Sequence, residues 1–135
     1  LIYNNRAFIG HIGDSRIYRI RKAIIRKLTQ DHSYVQKLVK DGTITPEQAE
    51  KHPQKNILLK VLGCNAFIEP DVMVKGFLKE DVLVMCSDGL SNMVTQDDIY
   101  KMASGNIEQA TVDLVDKANE NGGYDNITVV IIKNI

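Results

Sequence analysis

Apolar and polar positions along the chain switch between a period of two and a period near 3.6. Residues Ala7 to Ile12 form a mostly apolar run closed by Gly13-Asp14, which predicts a strand. Ile17, Tyr18 and Ile20, then Ile24, Ile25 and Leu28, predict two more short strands with Arg and Lys between them. Residues 21–23, Arg-Lys-Ala, are poor turn formers, yet the alternating flanks predict a hairpin there. Helical spacing follows: Val35, Leu38 and Val39 lie on one face of a helix expected to start at Asp31 or His32 and to end at Gly42. Thr45-Pro46-Glu47-Gln48 has the form of a capping box with proline at the first helical position, and His52-Pro53 stops that short helix. Ile57 to Leu62 fits either a helical turn or a strand.

The second half alternates again. Asp71 to Phe77 predicts a strand centred on Val72-Met73-Val74. Val82 to Cys86 is apolar throughout, as a central strand would be, and stops at Ser87-Asp88-Gly89. Thr95 caps a helix carrying Ile99, Met102 and Ala103. Residues 107–121 carry Ala110, Leu114, Val115 and Ala118 on one stripe, and Gly122-Gly123 ends that helix. Residues 127–132 are expected to be the last buried strand. Strand clusters separated by a helical insert, with no internal repeat, argue for an α+β class.

Composition narrows this to one globular domain or a large piece of one. Of 135 residues, 44% are hydrophobic and 25% charged, which excludes broad disorder and a collagen-like chain. No apolar run approaches the roughly 18 to 20 residues of a membrane span, and Leu1 to Arg6 lacks the order of a signal peptide. The formal net charge is zero but uneven: +6 over residues 1–30, +1 over 31–60 and −7 over 61–135. Attraction between the two ends and solvated faces accounts for this, as does a gathering of carboxylates for cations beside basic residues for an anionic substrate. The basic residues 16–27 are the only support for nucleic-acid binding, so none is expected. Cys64 and Cys86 form no CxxC pair. They are expected to be buried thiols of a reducing, cytoplasmic compartment.

Three acidic residues stand at predicted strand ends beside small residues: Asp14, Asp88 and Asp125. Oxygen ligands on rigid strand ends attract hard cations such as magnesium and manganese. Taken singly, each is better explained as a turn residue or local cap, and composition does not bring the three together.

Four ordered motifs change the picture. They are Gly13-Asp14-Ser15-Arg16, then Leu28 to Ser33, then Cys86-Ser87-Asp88-Gly89-Leu90, then Gly122 to Val129. In order and spacing they resemble the metal-dependent serine/threonine protein phosphatases of PPM type, most closely the compact bacterial members. The segment from Leu38-Val39 to Leu62-Gly63, with Gly42-Thr43-Ile44-Thr45 and His52-Pro53, resembles their mobile flap, about residues 33–66. The resemblance implies an αββα sandwich, two antiparallel β-sheets flanked by helices. It implies hydrolysis of phosphoserine and phosphothreonine monoesters in proteins by a metal-activated water, with two or three Mn2+ or Mg2+ ions in the complete domain. On this resemblance Asp88 and Asp125 hold the second metal, and Asp14 with Asp88 holds a third. Asn126 steadies the Asp125 loop, Gly89 and Ser87 support the site, and no side chain is the nucleophile. Arg16 is expected to be structural, as are His11, His32 and His52. The implied partners are phosphorylated proteins and an opposing Ser/Thr kinase.

Nothing in the chain matches the family's phosphate-binding Arg or its Asp-Gly-Met-Gly-Gly stretch. The chain is therefore expected to correspond to the C-terminal part of a catalytic domain, with its N-terminal part missing, and to turn over weakly or not at all alone. An open apolar face, available for oligomer formation, is expected as a consequence. The alternative is a non-catalytic regulatory or binding module of the same fold.

Overall fold

A computed structural model describes all residues, 1–135. Seven strands and five helices follow in the order β1 (Ile2–Tyr3), β2 (Arg6–His11), β3 (Arg16–Arg21), β4 (Ile24–Lys27), α1 (Tyr34–Lys40), α2 (Pro46–Glu50), β5 (Asp71–Gly76), β6 (Val82–Cys86), α3 (Asp88–Ser91), α4 (Gln96–Ala103), α5 (Ile107–Glu120) and β7 (Val129–Lys133). The strands form two antiparallel sheets, of order β1-β2-β5 and β4-β3-β6-β7. The class is α+β, two sheets face to face with helices outside, as in an αββα sandwich.

Alternation along the strands decides which layer each side chain joins. Val82, Val84 and Cys86 of β6 and Tyr18 and Ile20 of β3 face the helices, packing with Leu90, Val94, Ile99, Ala103, Leu114 and Ala118. Leu83 points the other way and joins Ala7, Ile9 and Phe77 between the sheets. The outer face of the small sheet carries no helix. There Phe8 is 39% exposed, its cross-strand partner Val74 is 49% exposed, and Val72, opposite Gly10, is 75% exposed. The expected open apolar face is present.

The hairpin at residues 21–23 forms without turn-type residues. Arg21 pairs with Ile24, and Lys22 and Ala23 both take positive φ, 47° and 61°. That is the backbone of a type I′ turn, which matches strand twist. A second hairpin of this kind, Asn4-Asn5 between β1 and β2, was not expected, because two-residue strands leave almost no periodicity.

Several boundaries differ from expectation. The first helix is capped by Ser33, whose Oγ accepts from Gln36 N–H at 3.3 Å, not by Asp31 or His32, whose side chains are engaged elsewhere. Residues 57–62 are neither helix nor strand. They make one bridge, Ser33 to Leu58, with no further ladder partner. The last strand starts at Val129 and lies at a sheet edge, so it is only half buried. Cys86 is buried as expected, but Cys64 is exposed, because it lies in the irregular segment before β5. The capping box at Thr45 and Gln48 forms in full.

Candidate metal centre

Asp14 sits in the Gly13–Asp14–Ser15 turn that carries the chain from β2 in one sheet to β3 in the other. Asp88 follows β6 directly and opens α3. Arg16 at the start of β3 lies opposite Cys86 at the end of β6, so the two acidic positions meet at one end of the sandwich. Burial raises the Asp14 carboxyl above its usual range, and the Asp88 carboxylate raises it further. Asp31 adds to this, while the Asp14 backbone N–H and the charge of Arg16 oppose it. A half-buried carboxylate facing other carboxylates favours either a proton or a cation. The donors are all hard oxygens, which suit Mg2+ or Mn2+.

Asp14 and Asp88 line an open cleft of about 670 Å³ together with Arg16, Lys27 and Asp31, and with Glu50 and Lys51 near α2. Arg16 is not free to clamp a ligand. Its Nη2 and Nε donate to Asp31 Oδ2 at 2.7 and 3.1 Å, and Lys27 Nζ reaches Asp31 Oδ1 at 3.3 Å. Asp31 is buried, so this fork fixes Arg16 against the cleft wall.

Asp125 lies in the loop before β7, exposed, with its Oδ1 accepting from Asn126 N–H at 2.7 Å. Its side chain does not line the cleft, and the Asp14, Asp88 and Asp125 carboxylates do not converge as a compact ligand group. What joins the loop to Asp88 is backbone proximity. Ser87 Oγ donates to Asn126 O and accepts from Thr128 N–H, both at 3.0 Å, and Ser87 N–H donates to Thr128 O at 3.1 Å. A Cβ on Gly89 would overlap the Asn126 carbonyl, standing 2.9 Å from its carbon. Only glycine lets the loop approach this closely. With its hydroxyl committed at both ends, Ser87 holds the loop. Asn126 contributes its backbone N–H and carbonyl oxygen to these bonds.

Sequence reasoning missed a second group. His11, His32 and Asp71 each offer a ligand atom, all within 4.8 Å of one another, a spacing that suits a metal ion. They come from the end of β2, the segment after β4 and the start of β5. The register pairs His11 with Asp71, but no sequence spacing could have shown this. Asp71 Oδ2 lies 2.9 Å from His32 Nε2, at ion-pair distance though not in hydrogen-bond alignment, and Lys60 Nζ lies 3.1 Å from Asp71 Oδ1. The His32 ring and then Lys60 hold the Asp71 carboxyl below its usual range. The hydrogen bonds qualify the metal reading. His32 Nδ1 accepts from Gly13 N–H at 3.1 Å, which places the proton of a neutral ring on Nε2, the nitrogen a metal would need.

No protein-family model matches the chain. It is 42% identical over 136 residues to the serine/threonine phosphatase stp of Listeria welshimeri, covering 98% of this chain and 54% of that protein. The fold superposes on the serine/threonine phosphatase of S. agalactiae with a TM-score of 0.92 at 39% identity, covering 99% of this chain and 56% of that one. Over nearly its whole length the chain matches bacterial PPM-type serine/threonine protein phosphatases. Among solved structures, the catalytic domain of the serine/threonine protein phosphatase PstP in complex with two manganese ions matches with a TM-score of 0.86 at 34% identity, over 97% of this chain and 54% of that one. The chain spans about half the length of the curated PPM relatives it matches. No helix is long and apolar enough to cross a membrane.

Proposed function

We propose that the chain forms part of a metal-activated phosphatase that hydrolyses phosphoserine and phosphothreonine monoesters in proteins. The observation that carries this is geometric: Asp14, in the turn after β2, and Asp88, just past the end of β6, line the same open cleft. Likeness to the stp phosphatase and to the manganese-bound PstP domain supports it. Asp14 and Asp88 would hold Mn2+ or Mg2+, with Asp125 brought in from its adjoining loop. When bound, such ions supply a water of lowered pKa and neutralise charge on phosphoryl oxygens. The chain's own residues orient these ligands. Ser87 and Gly89 fix the Asp125–Thr128 loop against Asp88, and the Arg16–Asp31 fork fixes the cleft wall beside Asp14.

A covalent route through this chain is disfavoured. The Ser87 hydroxyl is committed to Asn126 and Thr128 with no base beside it. Burial pushes the Cys86 thiol up to about 11, far from a thiolate nucleophile. Residues 33–66, which hold α1 and α2 and border the cleft, would serve as the flap that controls substrate access. Phosphoproteins and an opposing kinase are the partners this activity implies. The two unpaired cysteines support a cytoplasmic setting.

The test is hydrolysis of a phosphothreonine peptide, titrated with Mn2+ and reversed with EDTA, by the protein expressed from its whole gene. Turnover abolished by Asp88→Ala is expected. Metal-independent turnover, or turnover indifferent to Asp88→Ala, would sink the reading. A second reading is a regulatory module that binds a partner through the bare Phe8–Val72–Val74 face. It requires complex formation with no turnover under any metal condition.

A further inference from the structure

The Gly13–Asp14–Ser15 turn has a buried histidine at each shoulder. On one side Gly13 N–H donates to His32 Nδ1 at 3.1 Å, and Gly13 O accepts from the His32 backbone N–H at 2.8 Å. On the other side His11 Nε2 lies 2.8 Å from Ser15 O. A carbonyl oxygen only accepts, so His11 carries a proton on Nε2, and its Nδ1 finds no partner. An amide N–H only donates, so His32 keeps Nδ1 bare and carries its proton on Nε2, beside Asp71. The two rings stand 4.9 Å apart. His11 is 6% exposed, its Nδ1 has no partner, and the His32 side chain is 9% exposed.

These contacts fall on the residues either side of Asp14, one donor and one acceptor. Gly13 has φ +98°, a conformation that glycine enters freely and leaves as freely, so the turn needs outside restraint to present one geometry. Two buried histidines of opposite polarity supply it. Aromatic hydrocarbons of the same size would fill the space but bond neither the Gly13 N–H nor the Ser15 carbonyl.

We propose that His11 and His32, the latter lying beside Asp71, are positioning residues that lock the Asp14 turn in its cation-binding geometry. This rests on the reading of Asp14 as a metal ligand. His11 acts as a donor at its Nε2 position, and His32 acts as an acceptor at its Nδ1 position. Neither touches substrate.

The opposite roles allow a crossed test in the protein expressed from its whole gene. Asparagine places its amide near the Nδ1 position and glutamine near the Nε2 position. His32→Asn therefore keeps an acceptor for Gly13, and His32→Gln removes it. His11→Gln keeps a donor for Ser15, and His11→Asn removes it. Mn2+ affinity is read by electron paramagnetic resonance titration, with a melting curve for each variant. His32→Gln and His11→Asn are expected to weaken Mn2+ binding about tenfold or more, the usual effect of losing a group that orients a ligand. His32→Asn and His11→Gln are expected to stay close to the parent. Equal loss across all four, or the reverse pattern, overturns the proposal.

Two further measurements separate the possible failures. Nitrogen-15 NMR of the parent's imidazoles is expected to show the Nε2–H tautomer for both rings. An Nδ1–H tautomer at either ring overturns the assignment even if every variant fails to fold. Asp14→Asn must itself weaken Mn2+ binding. If it does not, the ligand reading falls and takes the proposal with it. If it does while the four histidine variants behave alike, only the positioning role falls.

Discussion

Replacing Asp81 by asparagine should cost the fold about 3 kcal/mol, the low end for breaking a buried ion pair. Asp81 is 1% exposed and stands just before β6. Its Oδ1 accepts from Arg21 Nε at 2.7 Å, and its Oδ2 accepts from Arg21 Nη2 and Leu78 N–H, both at 2.6 Å. Bonds to a charged group contribute about 1.5 to 3 kcal/mol each. With its oxygen at the Oδ2 position, the asparagine amide keeps two of the three and turns its NH2 toward Arg21 Nε, donor against donor. Arg21 remains 28% exposed and recovers some hydration, which is why the low end applies.

The sign of the pH dependence follows from the same geometry. Burial pushes the Asp81 carboxyl up, but the Arg21 bonds, the Leu78 N–H and the charge of Arg19 outweigh it and hold the group below its usual range. A depressed folded-state pKa stabilises the fold above the unfolded value of about 3.9 and loses that contribution as pH falls through the folded value. The gap between parent and variant should therefore be full at neutral pH and narrow below about pH 4. Urea unfolding followed by far-UV circular dichroism reads it. With a slope of about 2 kcal/mol per molar, the midpoint should fall by about 1.5 M. A loss below about 1 kcal/mol, the level of an exposed pair, would refute the reasoning.

Three other outcomes are expected. Gly89→Ala should displace the Asp125–Asn126 loop, since its Cβ would overlap the Asn126 carbonyl, and so weaken Mn2+ binding in a titration while α5 and both sheets persist by circular dichroism. Converting Lys22-Ala23 to Asn-Gly relieves two side chains from positive φ and should raise stability by about 1 kcal/mol, read as a higher melting temperature. Cys64 should react readily with a thiol reagent at pH 8, whereas Cys86, buried with its thiol near 11, should react only on unfolding; two fast thiols in the folded protein would contradict its placement.

Local chemistry made much of this protein legible from the sequence. Apolar runs located β2 and β6, apolar spacing located β3 and β5, and the Thr45 and Thr95 caps form as their sequences predict. These features depend on residues a few positions apart, and the physics that sets them is equally local. The four ordered motifs carried the family, and with it Asp14 and Asp88 as candidate ligands. The Lys22-Ala23 turn was inferred from its flanks alone, because strand pairing overrides the poor turn propensity of those two residues.

The rest was decided between distant segments. Residues 57–62 are apolar enough for regular structure, but apolar character does not provide a ladder partner, and only the Leu58 bridge forms. The histidines read as three scattered structural residues. Register sets His11 opposite Asp71, and the turn after β2 folds back onto His32, so two of them become the flanks of the Asp14 turn. The same holds for the Gly89–Asn126 contact, which joins residues of separate motifs through backbone approach alone. Sequence by itself singled out Asp14, Asp88 and Asp125 as carboxylates that a cation could use. Tertiary structure decided which of them share a cleft, because that depends on strand order and on layer packing, neither of which is encoded within the reach of a few residues.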